Sequence, residues 1–367
     1  MNLERIRTRL ATERTDAAAP VLERQTFTRI YLALCFWLIA GGYIDSWAHH
    51  HLAGLETFFT PWHAVLYASI FAITGFLGVN WLLNFRRGHS MLGALLPAYF
   101  GAVVGTVIFA VGGILDMLWH LAFGIEFSIA ALLSPTHLLL MVSGGVIVSA
   151  PLLSAMRTNA RRAPWPAIIS AALTVSMLTF FAQFDHPFVN TWAAGWNPSP
   201  RGPSWMQEEL GFLGLIVYVL TVMGLVLALV RRFRLRPGSL TLIFGLNGAF
   251  LTPIADQWLM LPIAIAGGLA GDLVLLLLRP SPHHRVRFRT FAFAVPAAFT
   301  SVYFLALFLT AGVWWPVHLW AAAAPVAGGA GWLLSFIAVA SPHGSPRPHH
   351  PHEEPRGALS SSQTAAE

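Results

Sequence analysis

The sequence predicts an all-α, polytopic integral membrane protein with about ten transmembrane helices. Its 367 residues are 56% hydrophobic and only 10% charged, and the mean hydropathy is +0.63. Because water-soluble domains are about a quarter charged, this composition excludes a soluble globular protein. The apolar runs have the length of helices, whereas an outer-membrane barrel would show short alternating strands.

The helices are predicted from apolar segments close to the ~20 residues that a bilayer requires. The ten segments lie at about 29–48, 62–84, 92–120, 128–156, 165–185, 211–230, 239–260, 262–278, 288–312 and 318–340. Residues 1–26 are polar and Arg-rich and show no signal peptide, which predicts a cytoplasmic N-terminal segment. Residues 341–367, rich in Pro, Ser and His, predict a disordered cytoplasmic tail.

The arginines predict the orientation of these segments. All 22 basic side chains are arginine, and they cluster in the loops that follow segments 2, 4, 6 and 8. The loops after the odd-numbered segments contain only Arg201. By the positive-inside rule both termini are cytoplasmic. The +6 charge therefore reflects topology, and we expect no nucleic-acid partner. Most acidic and histidine side chains fall at the outer ends of the segments.

Residues 27–158 are predicted to hold two tandem copies of a helical hairpin, and 159–340 to hold six further transmembrane helices. Asp, His, Glu and Pro-x-His recur in the same order, with offsets of 71, 71, 70 and 74 residues between the copies. The first copy has Asp45, His49, Glu56 and His63, and the second has Asp116, His120, Glu126 and His137.

The spacing within each copy predicts a metal site. Asp and His at i and i+4 lie on one helix face, one turn apart. Thr60-Pro61 and Ser134-Pro135 are typical of an N-cap followed by proline at the first helical position. This places His63 and His137 in the first turn of the partner helix, where the macrodipole favours neutral imidazole.

The donor set suits copper, iron or zinc better than calcium or magnesium. The one cysteine, Cys35, lies within an apolar run and excludes a thiolate cluster, so nitrogen and oxygen must hold the ion. The predicted ligands are Asp45, His49 and His63 in one site and Asp116, His120 and His137 in the other. Copper or iron would permit chemistry with oxygen, and zinc would not.

At these motifs, over about 42–80 and 110–145, the chain resembles the C subunit of the copper membrane monooxygenases, the particulate methane and ammonia monooxygenase family. The family has Asp-x3-His followed by FTPxH, which looks like Asp45, His49 and the stretch FTPWH that ends at His63. ITGF at 73–76 also matches. The second motif of the family looks like Asp116, His120, Glu126 and His137, with Asp116 where the family has Asn.

The resemblance implies two intramembrane copper sites in a subunit that oxidises a small apolar substrate, such as a short alkane or ammonia, with O2. It implies partner subunits as well. Glu56 and Glu126 would orient the ligands or carry protons. The protein is expected in the cell membrane, with its metal sites toward the outer face. The sequence shows no electron-entry motif.

The alternative hypothesis is a transporter or handling protein for copper or another divalent metal. Asp272, deep in an apolar run, would then help to pass the ion inward with Asn247 as its candidate partner; a proton relay or a structural role would equally explain Asp272. Bis-His haem is disfavoured because the histidines cluster with carboxylates.

Other polar residues are predicted near the outer ends of helices. Asp185-His186 and Asp256 are candidates for groups around the metal or for a proton route, although interfacial polar residues explain them more simply. His318 is a weaker ligand candidate. The tryptophans of the loop 187–210 are typical of an interfacial belt, and a lid over the metal groups is a less favoured reading.

Overall fold

The structure, a computed structural model, describes residues 19–52, 58–124, 132–196 and 204–339. Over these ranges the backbone is helical and forms no β-strand. Within these ranges eight helices are long and apolar enough to cross a membrane. The predicted all-α class is therefore confirmed, and these helices are compatible with a membrane bundle.

Ten helices are described, and they are numbered here in chain order. They are α1 (Arg24–His51), α2 (Pro61–Arg86), α3 (Pro97–Phe123), α4 (Pro135–Met156), α5 (Trp165–Phe181), α6 (Ser204–Arg232), α7 (Ser239–Leu251), α8 (Met260–Leu278), α9 (Arg285–Thr310) and α10 (Val317–Ala338). Two 3-10 turns, Gln183–Asp185 and Thr252–Ala255, follow α5 and α7.

The helix boundaries differ from the sequence-based segments where proline or backbone geometry intervenes. Helix α3 begins at Pro97 rather than near 92, with proline in the first turn, where its missing N–H costs nothing. The segment predicted at 239–260 is not one helix. Its α-helix ends at Leu251, and the following 3-10 turn ends at Asp256, which has a φ of 55°. Helices α5 and α7 are accordingly the two short members.

The hairpin helices pack in neighbouring pairs, α1 with α2 and α3 with α4. Helix α5 contacts α1, α4 and α7, and so joins these pairs to the second half of the bundle, where α6 packs against α10. A buried tyrosine pair joins helices in the first half of the bundle. Tyr31 and Tyr99 meet edge to face at 4.9 Å, and the Tyr31 hydroxyl donates to the Ile147 carbonyl at 2.9 Å.

Loops with arginine lie together at one end of the bundle. The backbone N–H of Arg234, after α6, donates to the Arg161 carbonyl, after α4, at 2.8 Å. The Arg232 guanidinium donates to the carbonyls of Met156 at 3.0 Å and Ala160 at 3.1 Å. These contacts tie the α4–α5 loop to the end of α6.

Loops that follow odd-numbered helices also contact one another. Gly195, after α5, donates its backbone N–H to the Gly312 carbonyl, after α9, at 2.9 Å. His51 at the end of α1 lies 2.9 Å from the Asp256 carboxylate, which follows α7. The connections therefore separate into two sets, one Arg-rich and one holding Asp and His.

Asp272 and Asn247 do not pair, so the predicted partnership between them is wrong. Asp272 of α8 accepts from the backbone N–H groups of Leu240 at 3.2 Å and Thr241 at 2.9 Å, and from the Thr241 hydroxyl at 2.6 Å. Those N–H groups belong to the first turn of α7, which has no N-cap side chain. Asn247 donates instead to Thr179 at 2.6 Å. Asp272 thus caps a neighbouring helix.

Candidate metal centre

Two groups, each of one aspartate and two histidines, are assembled at the predicted hairpins. In each group the three side chains offer ligand atoms that all lie within 4.8 Å of one another. In the first group, Asp45 Oδ2 lies 3.9 Å from His49 Nε2 and 3.4 Å from His63 Nε2. The fold therefore brings together residues from the end of α1 and the start of α2.

The second group repeats this arrangement between α3 and α4. The Nε2 atoms of His120 and His137 lie 3.7 and 3.5 Å from the Asp116 carboxylate. The angle between the two imidazole planes is 61° here and 67° in the first group, with ring centroids 5.7 and 5.6 Å apart. The two groups therefore present their donors in nearly the same way.

These separations fit donors around a shared ion. Each exceeds the 2.7–3.2 Å of a direct N–H···O hydrogen bond. Ligands at the ~2.0–2.2 Å typical of zinc–nitrogen and zinc–oxygen bonds stand roughly 3.3–3.6 Å apart when they are arranged tetrahedrally. The observed values of 3.4–3.9 Å require only a small contraction to reach that geometry.

The N-caps of α2 and α4 hold the second histidine of each group, as the sequence predicts. The Thr60 hydroxyl accepts from the backbone N–H of His63 at 3.1 Å and lies 3.1 Å from its Nδ1. Ser134 accepts from the His137 N–H at 3.3 Å and lies 2.8 Å from its Nδ1. Each capping hydroxyl engages Nδ1, so that Nε2 points to the aspartate.

His120 illustrates how the donors of one group could hold a metal ion. Its Nδ1 lies 3.2 Å from the Gly124 carbonyl, which can only accept, so Nδ1 carries the hydrogen. In the neutral ring, Nε2 then presents a lone pair to the Asp116 carboxylate. Two acceptors that face each other in a buried site repel unless a cation lies between them. The donors therefore fit a metal ion.

The carboxylates of the two groups differ in their hydrogen-bond partners. Thr136 donates its hydroxyl to Asp116 Oδ1 at 2.7 Å. Trp62 stands at the corresponding position of the first group, between Pro61 and His63. Asp45 Oδ1 is buried and has no hydrogen-bond partner in the described part of the chain. The first carboxylate therefore keeps an oxygen available for an ion or a proton.

One cavity of about 70 Å³ borders both groups. Asp45, His63, Asp116 and His137 reach its wall. The rest of the wall is mostly apolar and is formed by Leu38, Ile39, Gly42, Tyr43, Leu66, Tyr67, Phe109, Leu140, Met177, Phe180 and Phe181. The volume exceeds the ~30 Å³ share of one liquid water, so a molecule of a few heavy atoms fits.

Aromatic rings fill the space between the two groups. Phe58 stacks on His63 at 5.1 Å and lies 6.5 Å from His120. Tyr67, one turn after His63, lies 5.8 Å from Phe58. The rings shield His63 and His120 from water, which strengthens the electrostatic interactions of these two ligands, whereas His49 of the first group is exposed.

Asp256 and His318, which the sequence also places near the site, belong to neither group. Glu56 and Glu126 fall outside the described residues. Asp256 contacts His51 rather than either group. His318 is exposed at the start of α10 and belongs to neither group. Asp185 and His186 are buried, and Asp185 packs against α6.

Sequence reasoning missed Thr136, the Gly124 carbonyl and the shared cavity. Thr136 had a readable signal, because a hydroxyl next to a ligand on the first helical turn can reach the facing helix. The carbonyl and the cavity had none, since they depend on how α3 and α4 pack.

No protein-family model, curated protein or solved structure matches this chain.

Proposed function

We propose that this chain is a membrane-embedded copper protein, akin to a monooxygenase subunit, that oxidises a small apolar substrate such as a short alkane or ammonia with O2. The observation that carries the proposal is the pair of Asp-His-His groups, with His Nε2 atoms 3.4–3.9 Å from a carboxylate oxygen, around one largely apolar cavity. Three donors from each group leave coordination positions open, as catalytic sites require.

The choice of metal rests on donor chemistry and on the motifs. Two imidazoles and a carboxylate suit copper, iron or zinc, and among these the resemblance of the motifs to copper membrane monooxygenases favours copper. A copper or iron ion held there would supply the one-electron chemistry with O2 that no side chain of the site provides.

The residues of the chain would bind the metal ion, orient its ligands and exclude water. Asp45 and Asp116 provide the negative charge, and the hydroxyls of Thr60 and Ser134 fix the rings of His63 and His137. Such outer partners raise ligand basicity and set the ring orientation. The apolar wall of the cavity favours an uncharged substrate, and its volume of about 70 Å³ admits only a small one.

The same proposal includes ten spans with both termini cytoplasmic, in the cell membrane, and metal groups near the outer face. Supporting this orientation, the Arg-rich loops after α4 and α6 contact each other, while Asp256 and His51 meet in the other set of loops. Glu56 and Glu126 would carry protons or orient ligands. The resemblance also implies partner subunits.

The structure gives less support to metal transport. A transport path needs ligands that continue across the membrane. Among the described residues, the only groups with ligand spacing are the two at the hairpins. Asp272, the candidate inward ligand, accepts three hydrogen bonds at the N-terminus of α7.

Metal analysis and EPR of purified protein test the two sites. Wild type should bind one ion in each of the two groups, and His63→Ala and His137→Ala should each lose one ion. His50→Ala is the matched control, because its Nδ1 contacts the Ser46 carbonyl at 2.9 Å and it belongs to neither group. Wild-type protein without stoichiometric metal would refute the proposal.

Turnover separates oxidation from transport. Oxygen consumption with reductant and a panel of short alkanes, alkenes and ammonia should depend on His63 and His137. Metal uptake into vesicles without substrate-dependent oxygen consumption would favour the transporter instead.

A further inference from the structure

A second polar feature follows one face of α6, apart from the metal groups. Gln207, Gly211, Gly214 and Tyr218 are separated by four, three and four residues, so they lie in one row along the helix. At a rise of about 1.5 Å per residue the row is about 16 Å long. It starts near the N-terminal end of α6, where Trp205 is exposed.

Side chains from the loops pack directly on this row. A Cβ at Gly211 would lie 2.7 Å from atoms of both Trp192 and Trp315. One at Gly214 would overlap the backbone carbonyl oxygen of Asp185 and would lie 2.7 Å from its Cγ. The ring of His186 lies 4.4 Å from that of Tyr218. The two glycines therefore let the indoles and the carboxylate lie against the helix backbone.

Six side chains on or against this row each have a buried polar atom without a hydrogen-bond partner in the described ranges. Buried polar groups in native proteins are nearly always paired. The unpartnered atoms are Gln207 Oε1, Trp192 Nε1, Trp315 Nε1, Asp185 Oδ1, His186 Nε2 and the Tyr218 hydroxyl. We call these six side chains the polar file.

The file mixes donors with acceptors. His186 Nδ1 accepts from the Phe188 N–H at 3.1 Å, so the neutral ring carries its hydrogen on Nε2. Burial keeps it neutral, because it lowers the pKa of His186 to about 3. The indoles of Trp192 and Trp315 also donate, whereas Asp185 Oδ1 and Gln207 Oε1 accept. A ligand for the file must both donate and accept, and must be small.

Asp185 can change its protonation state near neutral pH. Burial disfavours its charged form and raises its pKa to about 7, offset in part by the nearby Trp192 indole. The other titratable groups in the file are His186, which stays neutral, and the Tyr218 hydroxyl. A proton carrier works best when its pKa is close to the operating pH.

Ser46, next to Asp45 in the chain, is hydrogen-bonded to the turn that contains Asp185. Gln183 lies two residues before Asp185 in the same 3-10 turn. Its Oε1 accepts from the Ser46 hydroxyl at 2.7 Å, and Ser46 directly follows Asp45. Asp45 Oδ1 is itself buried without a partner.

We propose that the polar file binds a chain of water molecules and conducts protons between the N-terminal end of α6 and the interior, with Asp185 as its proton carrier. Protonated Asp185 gives its proton to a neighbouring water and becomes a carboxylate, and it regains a proton from a water on its other side. One proton therefore passes along the file, and Asp185 returns to its protonated form. This inference does not depend on which metal binds, or on whether one binds.

Infrared spectroscopy of the purified full chain tests it. Below the pKa of Asp185, the wild-type spectrum should contain a protonated carboxyl C=O band that Asp185→Asn removes. After transfer to D2O the band should shift within seconds, because the carboxyl group contacts exchanging water. Gly214→Ala should slow that shift by an order of magnitude, since its Cβ would displace both the backbone carbonyl and the carboxylate of Asp185.

Gly224→Ala is the matched control, because Gly224 lies in the same helix with no atom within 4 Å of an added Cβ; its exchange should equal that of wild type. If Asp185→Asn or Gly214→Ala does not fold, Asp185→Glu identifies the band by a frequency change, and Gln207→Leu blocks the outer mouth. A difference spectrum between wild type and Asp185→Asn that contains no protonated carboxyl band overturns the proposal. So does a wild-type shift over hours, or rapid exchange in both blocking variants.

Discussion

Thr136→Val removes one hydroxyl from the second metal group while keeping the shape of the side chain. The Thr136 hydroxyl donates to Asp116 Oδ1 at 2.7 Å, and both residues are buried. A hydrogen bond to a charged group contributes about 1.5–3 kcal/mol. Loss of a partner behind a metal ligand typically weakens affinity by about 10- to 100-fold, or about 1.4–2.8 kcal/mol. The energy of the hydrogen bond and the expected loss of metal-binding free energy therefore agree.

The expected result is selective loss at one site. Chelator competition, followed by metal analysis and EPR, should show that the second group binds about 10- to 100-fold more weakly, whereas the first group is unchanged. Trp62 occupies the corresponding position there, so no equivalent bond exists to lose.

Thr221→Val controls for the loss of a hydroxyl elsewhere. Its hydroxyl donates to the Val217 carbonyl of its own helix at 2.8 Å, and its replacement should change neither site. Unchanged binding in Thr136→Val, or equal weakening of both groups, would refute the assignment of Thr136 as the residue that supports Asp116.

Two further predictions concern helix ends. Asp272→Asn should lower the free energy of unfolding by about 1–3 kcal/mol, because the amide cannot accept all three bonds at the start of α7, while metal content stays at the wild-type level; lost metal would restore Asp272 as a ligand or relay. Ser134→Ala should lower the free energy of unfolding by about 1 kcal/mol through loss of the N-cap, and it should also weaken metal binding through His137. Thr60→Ala should have both effects at α2 and His63. A stability loss in either without weaker metal binding would mean that the hydroxyls cap the helices but do not orient the rings.

Much of the fold follows from local features of the sequence. Apolar runs near bilayer length predicted the long helices, and Thr60-Pro61 and Ser134-Pro135 predicted two helix starts that the structure confirms. The interruption near 252–256 was not predicted, because a hydropathy window averages Thr252, Pro253 and Asp256 with the apolar residues on both sides. It depends on Pro253 and on the left-handed backbone at Asp256.

The sequence predicted the candidate site as two separate ligand sets, but it did not predict that the two sets border one cavity. Spacing of i and i+4 places an acid and a histidine on one face, and the cap places another histidine at the start of the next helix. The partner of Asp272 was predicted wrongly, because hydropathy gives no information about which helix end lies beside a buried carboxylate.

The sequence by itself determined the helical membrane class and the side chains that can meet within each hairpin, since both depend on contacts between near neighbours in the chain. Only the tertiary structure decided that both Asp-His-His groups border the same cavity, that Asp272 caps α7, and that Asp185 and His186 lie along α6. Those contacts join residues far apart in sequence, and they depend on which helix faces pack together.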